Sequence, residues 1–155
     1  MITENTIRTR FHGEVTISEK DILVMDYDIL GFSQAKEYVL LPHRADSPFL
    51  YLQSVTDPAL AFIVIDPLTF DPNYTLPLEE LPDLGDPQSW AVLCICTVSR
   101  SAQGALEATA NLKSPLIINR QTRHGGQFVL SLPYSYQYPL IGEDTTNAGT
   151  EPENR

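Results

Sequence analysis

AVLCICTVS, residues 91–99, is the stretch on which the fold turns. It is rich in β-forming side chains and holds no glycine, proline or charge, so it reads as a strand. Working outward, ALAFIVID (59–66) is almost continuously apolar, as a strand covered on both faces should be. Upstream, FHGEVTI (11–17) alternates Phe11, Gly13, Val15 and Ile17 against polar neighbours, the period of a half-buried strand. DILVM (21–25), YVLLP (38–42) and FLYLQSV (49–55) continue the series, and LEATANL (106–112), PLIINR (115–120) and GQFVLSL (126–132) complete it. RSAQG (100–104) and RHGG (123–126) read as turns, the glycines supplying positive φ. Eight or nine short strands at regular spacing predict an all-β fold, a small antiparallel β-barrel or sandwich-like domain.

Twelve prolines argue against long helices. The segment PLTFDPNYTLPLEELPDLGDPQSW (67–90) carries many of them, which excludes a long helix or a central strand there. One or two short helical turns fit, one capped by Asp86 with Pro87 in its first position and one at SQAKEY (33–38) capped by Ser33. Residues 1–141 therefore read as one β domain. Residues 142–155 lack large apolar side chains and hold four acids against one arginine, so an acidic, disordered tail is expected.

The formal net charge is −10. Such a field repels a phosphate backbone and an anionic membrane surface, and it favours a basic protein partner. The acidic surface also favours a monomer. MITENTIRTR at the start has no apolar stretch of a signal peptide, and no apolar run approaches a membrane span. A soluble, cytoplasmic protein is expected. Cys94 and Cys96 share one strand face, where a Cys-x-Cys bridge is badly strained, and buried free thiols fit a reducing compartment.

A search for chemistry finds little. His12, His43 and His124 have no second ligand at metal spacing. The nucleophile-elbow, phosphate-loop and dinucleotide-binding patterns are missing from the sequence. Asp57-Pro58 and Asp66-Pro67 fit turn starts, and Glu79-Glu80 fits a solvated loop. A carboxylate-based hydrolase or sugar-binding barrel using Asp66 is the alternative, and it requires a deep pocket with two carboxylates about 5–9 Å apart. Phe70 and Tyr74 fit two roles: packing the long loop onto the barrel, or standing exposed as binding anchors. Asn111 and Asn119 read as turn formers bonding neighbouring backbone, and Lys113 as the neutraliser of a nearby carboxylate.

TANLKSPLIIN (109–119), YLQSVTDPALAFIVIDP (51–67), VLLP (39–42) followed by Pro48-Phe49, and the AVLCICTVS and GQFVLS strands occur in order and at matching spacing. Together they make the chain resemble the FliW family of flagellar assembly factors from about Phe11 to Leu140. MDYDILGFSQ (25–34) keeps Leu30, Gly31 and Phe32 but departs from the turn residues the family has upstream of them. The resemblance implies a β-barrel-like fold with no enzyme activity and no cofactor. It also implies two protein partners, flagellin and the translational repressor CsrA. In the implied circuit, abundant flagellin occupies the protein; once flagellin is secreted, the freed protein binds CsrA and relieves repression of flagellin mRNA. The binding contacts are expected on the proline-rich loop, at Asp66, Phe70 and Tyr74, with Glu79 and Glu80 supplying charge.

Overall fold

The computed structural model describes residues 4–141. Eleven strands carry the architecture: β1 (Glu4–Arg8), β2 (Glu14–Ser18), β3 (Leu23–Tyr27), β4 (Glu37–Pro42), β5 (Leu50–Ser54), β6 (Ala61–Ile65), β7 (Trp90–Arg100), β8 (Leu106–Ala110), β9 (Leu116–Asn119), β10 (His124–Gln127) and β11 (Tyr138–Ile141). The helical turns are 3-10 turns at Glu19–Asp21, Pro67–Thr69, Leu78–Glu80 and Pro87–Ser89. The turn at Pro87 has the expected cap, with Asp86 accepting from the Gln88 amide at 3.0 Å. Residues 33–38 form no helix. The Lys36 carbonyl accepts from the Met25 amide at 2.7 Å, which draws this backbone into the sheet.

The all-β expectation holds, and the sheet curls into a ring. β3, β4, β5, β6, β7, β9 and β10 pair in succession, and β10 returns to β3. Six of these junctions are antiparallel and the last, β10 with β3, is parallel. Parity demands this. Direction alternates around an up-and-down ring, so a ring with an odd number of strands meets itself in the same direction once. The expected fully antiparallel pairing is therefore relaxed at that one seam.

Strand β7 makes closure possible because it is long enough to hold two neighbours on one edge. Its first residues, Trp90–Leu93, pair with β9, and its last, Cys96–Arg100, pair with β8. Between these ladders Cys94 and Ile95 of β7 face five residues, Asn111 to Pro115. The motif ANLKSP is thus an oversized bulge that hands the chain from β8 to β9. The Asn111 side-chain oxygen accepts from the amides of Lys113, at 3.2 Å, and Ser114, at 3.0 Å. The expected structural role of Asn111 is met by these bonds, and Asn119 acts likewise on Gln121 and Thr122. Lys113 departs from expectation: its ammonium donates to the Leu132 carbonyl at 3.2 Å rather than meeting a carboxylate.

Alternate residues of the ring strands fill its interior: Leu23 and Met25, Tyr38, Leu52, Val64, Leu93, Leu116 and Ile118. β10 contributes no side chain at its two glycines. A Cβ on Gly125 would stand 2.0 Å from the Ile117 carbonyl oxygen, and one on Gly126 would stand 2.4 Å from Tyr27. The turn expected at 123–126 lies earlier. Arg123 takes the positive φ, 68°, and the glycines sit in the strand because two neighbouring backbones press on it. The strand expected over 126–132 is correspondingly short. Past Gln127 the chain leaves the ladder, and the Phe128 and Leu130 amides bond the Pro115 and Lys113 carbonyls of the bulge.

Two outer clusters cover the ring. β1 and β2 form a hairpin whose Ile7 and Ile17 pack on Val39 of β4. The strand expected from residue 11 starts at Glu14, because Gly13 (φ 64°) and the bond from the Thr9 amide to the Gly13 carbonyl close the hairpin turn. On the far side, Ile65, Cys94, Cys96 and Ala110 lie under the long loop and the segment 128–140. The cysteines are free and buried, as expected. Burial pushes both thiols up to about 12.

Candidate functional site

The loop between β6 and β7, residues 66–89, is ordered by its own side chains. Asp66 accepts from the Leu68 amide at 2.9 Å and caps the 3-10 turn begun by Pro67. Asp71 accepts from the Asn73 amide at 2.9 Å and from the Tyr134 hydroxyl. The Tyr134 bond first, then the Asn73 amide, hold the Asp71 carboxyl below its ordinary range; the same bond raises the Tyr134 phenol to about 12. Asp83 accepts from Gly85 and Asp86 from Gln88, both at 3.0 Å. These bonds explain the repeated acid in the loop: each satisfies an amide that no ladder reaches.

Packing then fastens the loop to the barrel. Tyr74 is 8% exposed, and its hydroxyl donates to the Leu112 carbonyl in the bulge at 2.7 Å. Its ring lies 5.2 Å from that of Tyr134. Tyr74 is a pin into the bulge rather than a presented anchor, and burial drives its phenol far above the ordinary range. Phe70 is half-buried on the same cluster. Glu80 is exposed but engaged, accepting from the Ser131 amide at 2.9 Å. At the far end, the Leu84 carbonyl receives the Trp90 indole at 3.0 Å and the Asn119 amide at 2.9 Å. Of the five residues expected to bind, Asp66, Glu79 and Glu80 stand at the surface, while Phe70 and Tyr74 support the loop from beneath.

What the loop presents differs from what its aromatics suggested. Leu68 and Leu78 are each 53% exposed. They flank an open cleft of about 470 Å³ between the loop and the start of β7, floored by Leu76 and Trp90, with Asp66 and Arg120 at its edge. Asp66 is the single carboxylate lining it, so the carboxylate pair that the hydrolase alternative requires is not formed there. Among the described residues, no group of three or more His, Cys, Asp or Glu side chains is placed to hold a metal ion. From Asp66 to Ser89 the loop has six carboxylates and no Lys, Arg or His. Two exposed leucines in an acidic frame suit an apolar segment of a basic partner. The leucines were missed because an isolated Leu in a loop carries no periodicity, whereas its exposure is a tertiary property.

No helix of the described residues is long and apolar enough to cross a membrane. Comparison with known proteins covers nearly all of the described residues. The FliW protein family model matches residues 6–140. The flagellar assembly factor FliW of Bacillus subtilis (strain 168) is 39% identical over 142 residues, covering 88% of this chain and 97% of its own length. That of Geobacillus kaustophilus (strain HTA426) is 40% identical over 130 residues, covering 81% of this chain and 87% of its own. A crystal structure of the flagellar assembly factor FliW superposes with a TM-score of 0.75 at 35% identity, over 91% of this chain and 100% of that one.

Proposed function

The chain belongs to the FliW family of flagellar assembly factors, which are not enzymes, and on that premise we propose that it is a cytoplasmic, monomeric binding protein serving flagellin and CsrA in turn. When flagellin is scarce, the free protein sequesters CsrA and relieves repression of flagellin mRNA; when flagellin accumulates, it takes the protein back.

The observation that carries this reading is the acidic 66–89 loop with Leu68 and Leu78 raised beside the cleft. An RNA-binding repressor presents basic surface, and an acidic loop steers its encounter. An unassembled flagellin helix presents an apolar face, which a groove with aliphatic anchors receives at helical spacing. We assign the contacts to Asp66, Leu68, Leu78, Glu79 and Glu80. Phe70 and Tyr74 set the height and angle of the loop beneath them.

The test is a titration of each partner against Leu68→Ser/Leu78→Ser and against Glu79→Lys/Asp86→Lys. Loss of the two anchors should weaken binding at least about tenfold, the effect of ~1.4 kcal/mol at a modest hot spot. The charge reversal should slow association with CsrA and flatten its salt dependence. Wild-type affinities for both partners in folded variants would remove the loop from the binding surface.

A further inference from the structure

A second groove lies on the outer face of the sheet and shares no lining residue with the cleft beside the 66–89 loop. It has a volume of about 410 Å³, and its floor crosses neighbouring strands: Phe49 and Tyr51 at the start of β5, Ile63 on β6, Val98 on β7 and Leu106 on β8. Val98 is 43% and Leu106 44% exposed, so among the described residues this stretch of sheet has no cover. Its frame is cationic, in a chain of net charge −10. Arg44 and His43 line it at one end. Arg100 stands at the other, paired with Leu106 and on the same face of β7 as Val98. Arg10 lies 5.0 Å from the centre of the Phe11 ring, which stacks on Tyr51 at 4.5 Å. Asp46 is the single acid among the lining side chains, and it meets Arg44 at 3.5 Å with both groups exposed. One Arg100 nitrogen donates to the Gly104 carbonyl at 2.8 Å. A guanidinium has several N–H donors in a fork, so both arginines keep donors for a further carboxylate.

The chemistry of this surface selects its occupant. The aliphatic and aromatic floor calls for an apolar face, and the arginines at its ends call for carboxylates beside that face. From β5 to β8 is three strand spacings, about 14 Å. A segment lying along that line crosses the strands, so it finds no ladder partner over the apolar floor and must satisfy its backbone internally. A helix does so, and about 14 Å is two to three of its turns. The 66–89 loop offers the opposite frame, exposed leucines among carboxylates. The two surfaces therefore select partners of opposite charge. RNA, another polyanion that arginines attract, is disfavoured by the net charge of −10.

We propose that this groove docks an amphipathic helix of an acidic protein partner, with its apolar face on Ile63, Val98 and Leu106 and its carboxylates on Arg44 and Arg100, independently of the 66–89 loop. The probes are two fluorescein-labelled amphipathic helical peptides that share one leucine face, one flanked by glutamates and the other by lysines, each titrated into the full-length chain. The glutamate peptide should bind, more weakly as salt rises, and should move the amide signals of Tyr51, Ile63, Val98 and Leu106. Arg44→Ser/Arg100→Ser and Val98→Ser/Leu106→Ser should each weaken it at least about tenfold. Leu68→Ser/Leu78→Ser should leave it unchanged, which keeps a failure at this groove distinct from a failure at the loop. Equal binding of the two peptides, binding of neither, or amide shifts centred on residues 66–89 overturn the proposal. So does an oligouridylate that moves the groove amides more than the glutamate peptide does, because the surface is then a nucleic-acid site. Shifts that grow with protein concentration in the absence of peptide overturn it as well, because the occupant is then a second copy.

Discussion

At the residue scale, the bulge rests on one side-chain oxygen. Asn111 accepts from two amides that no strand reaches. Asn111→Ala should therefore lower stability by about 1–3 kcal/mol, the cost of stranding partly buried donors. Asn111→Asp keeps an acceptor in the same place and should avoid most of that loss, as read from urea unfolding midpoints. The cysteines make a pH prediction. Their folded values lie near 12 against an ordinary 9.0, so the folded state binds more protons than the unfolded state between those limits. Stability from this source is complete below about pH 9 and falls as pH rises toward 12. Unfolding midpoints at pH 8 and pH 10.5 should differ less in Cys94→Ala/Cys96→Ala than in the wild type, whatever the variant's absolute stability.

At the element scale, β10 is the tightest seam. Gly125 faces the Ile117 backbone oxygen, which cannot swing aside as a side-chain tip does. Gly125→Ala should cost roughly 3 kcal/mol, the upper end of ordinary overpacking, and lower the melting temperature by about 10 °C. An equal melting temperature would mean that β9 slides freely against β10. This element also shows where sequence reading stops. A glycine pair after Arg-His is a sound turn signal, because positive φ and close approach call for the same residue. Only the neighbours distinguish them, and Ile117 and Tyr27 come from elsewhere in the chain. Strands β4 to β8 were legible because apolar runs and alternation are local. β1 was not, because ENTIR is polar apart from Ile7 and owes its strand to pairing with β2. For the site, the acids of the loop were legible and the buried state of Tyr74 was not, since a proline-rich loop gives no sign of what lies beneath it.

At the scale of the whole molecule, the fold class was readable and the closure was not. β7 looks like any strong strand in sequence; that it serves two partners on one edge follows from a bulge whose length is set by packing. The ring joins distant segments, with His124 bonded to Asp26 across 98 positions. Such topology slows folding, because loop entropy is lost before the contacts that offset it form. Refolding from urea should occur in milliseconds to seconds, and stopped-flow tryptophan emission from Trp90 follows it directly. Microsecond refolding would show that the ring assembles from local pieces instead.

The parallel seam between β3 and β10 bears on synthesis as well. A ribosome delivers β3 early and β10 near the end. At about 5–20 residues per second the gap between them lasts on the order of 5–20 s. For that interval one edge of β3 emerges with its future partner not yet translated. An incomplete barrel has an open edge where the finished one has a seam, so nascent chains have an assembly hazard that mature ones lack. The last strand of the ring is thus also the step at which a growing chain ceases to be a template for its neighbours.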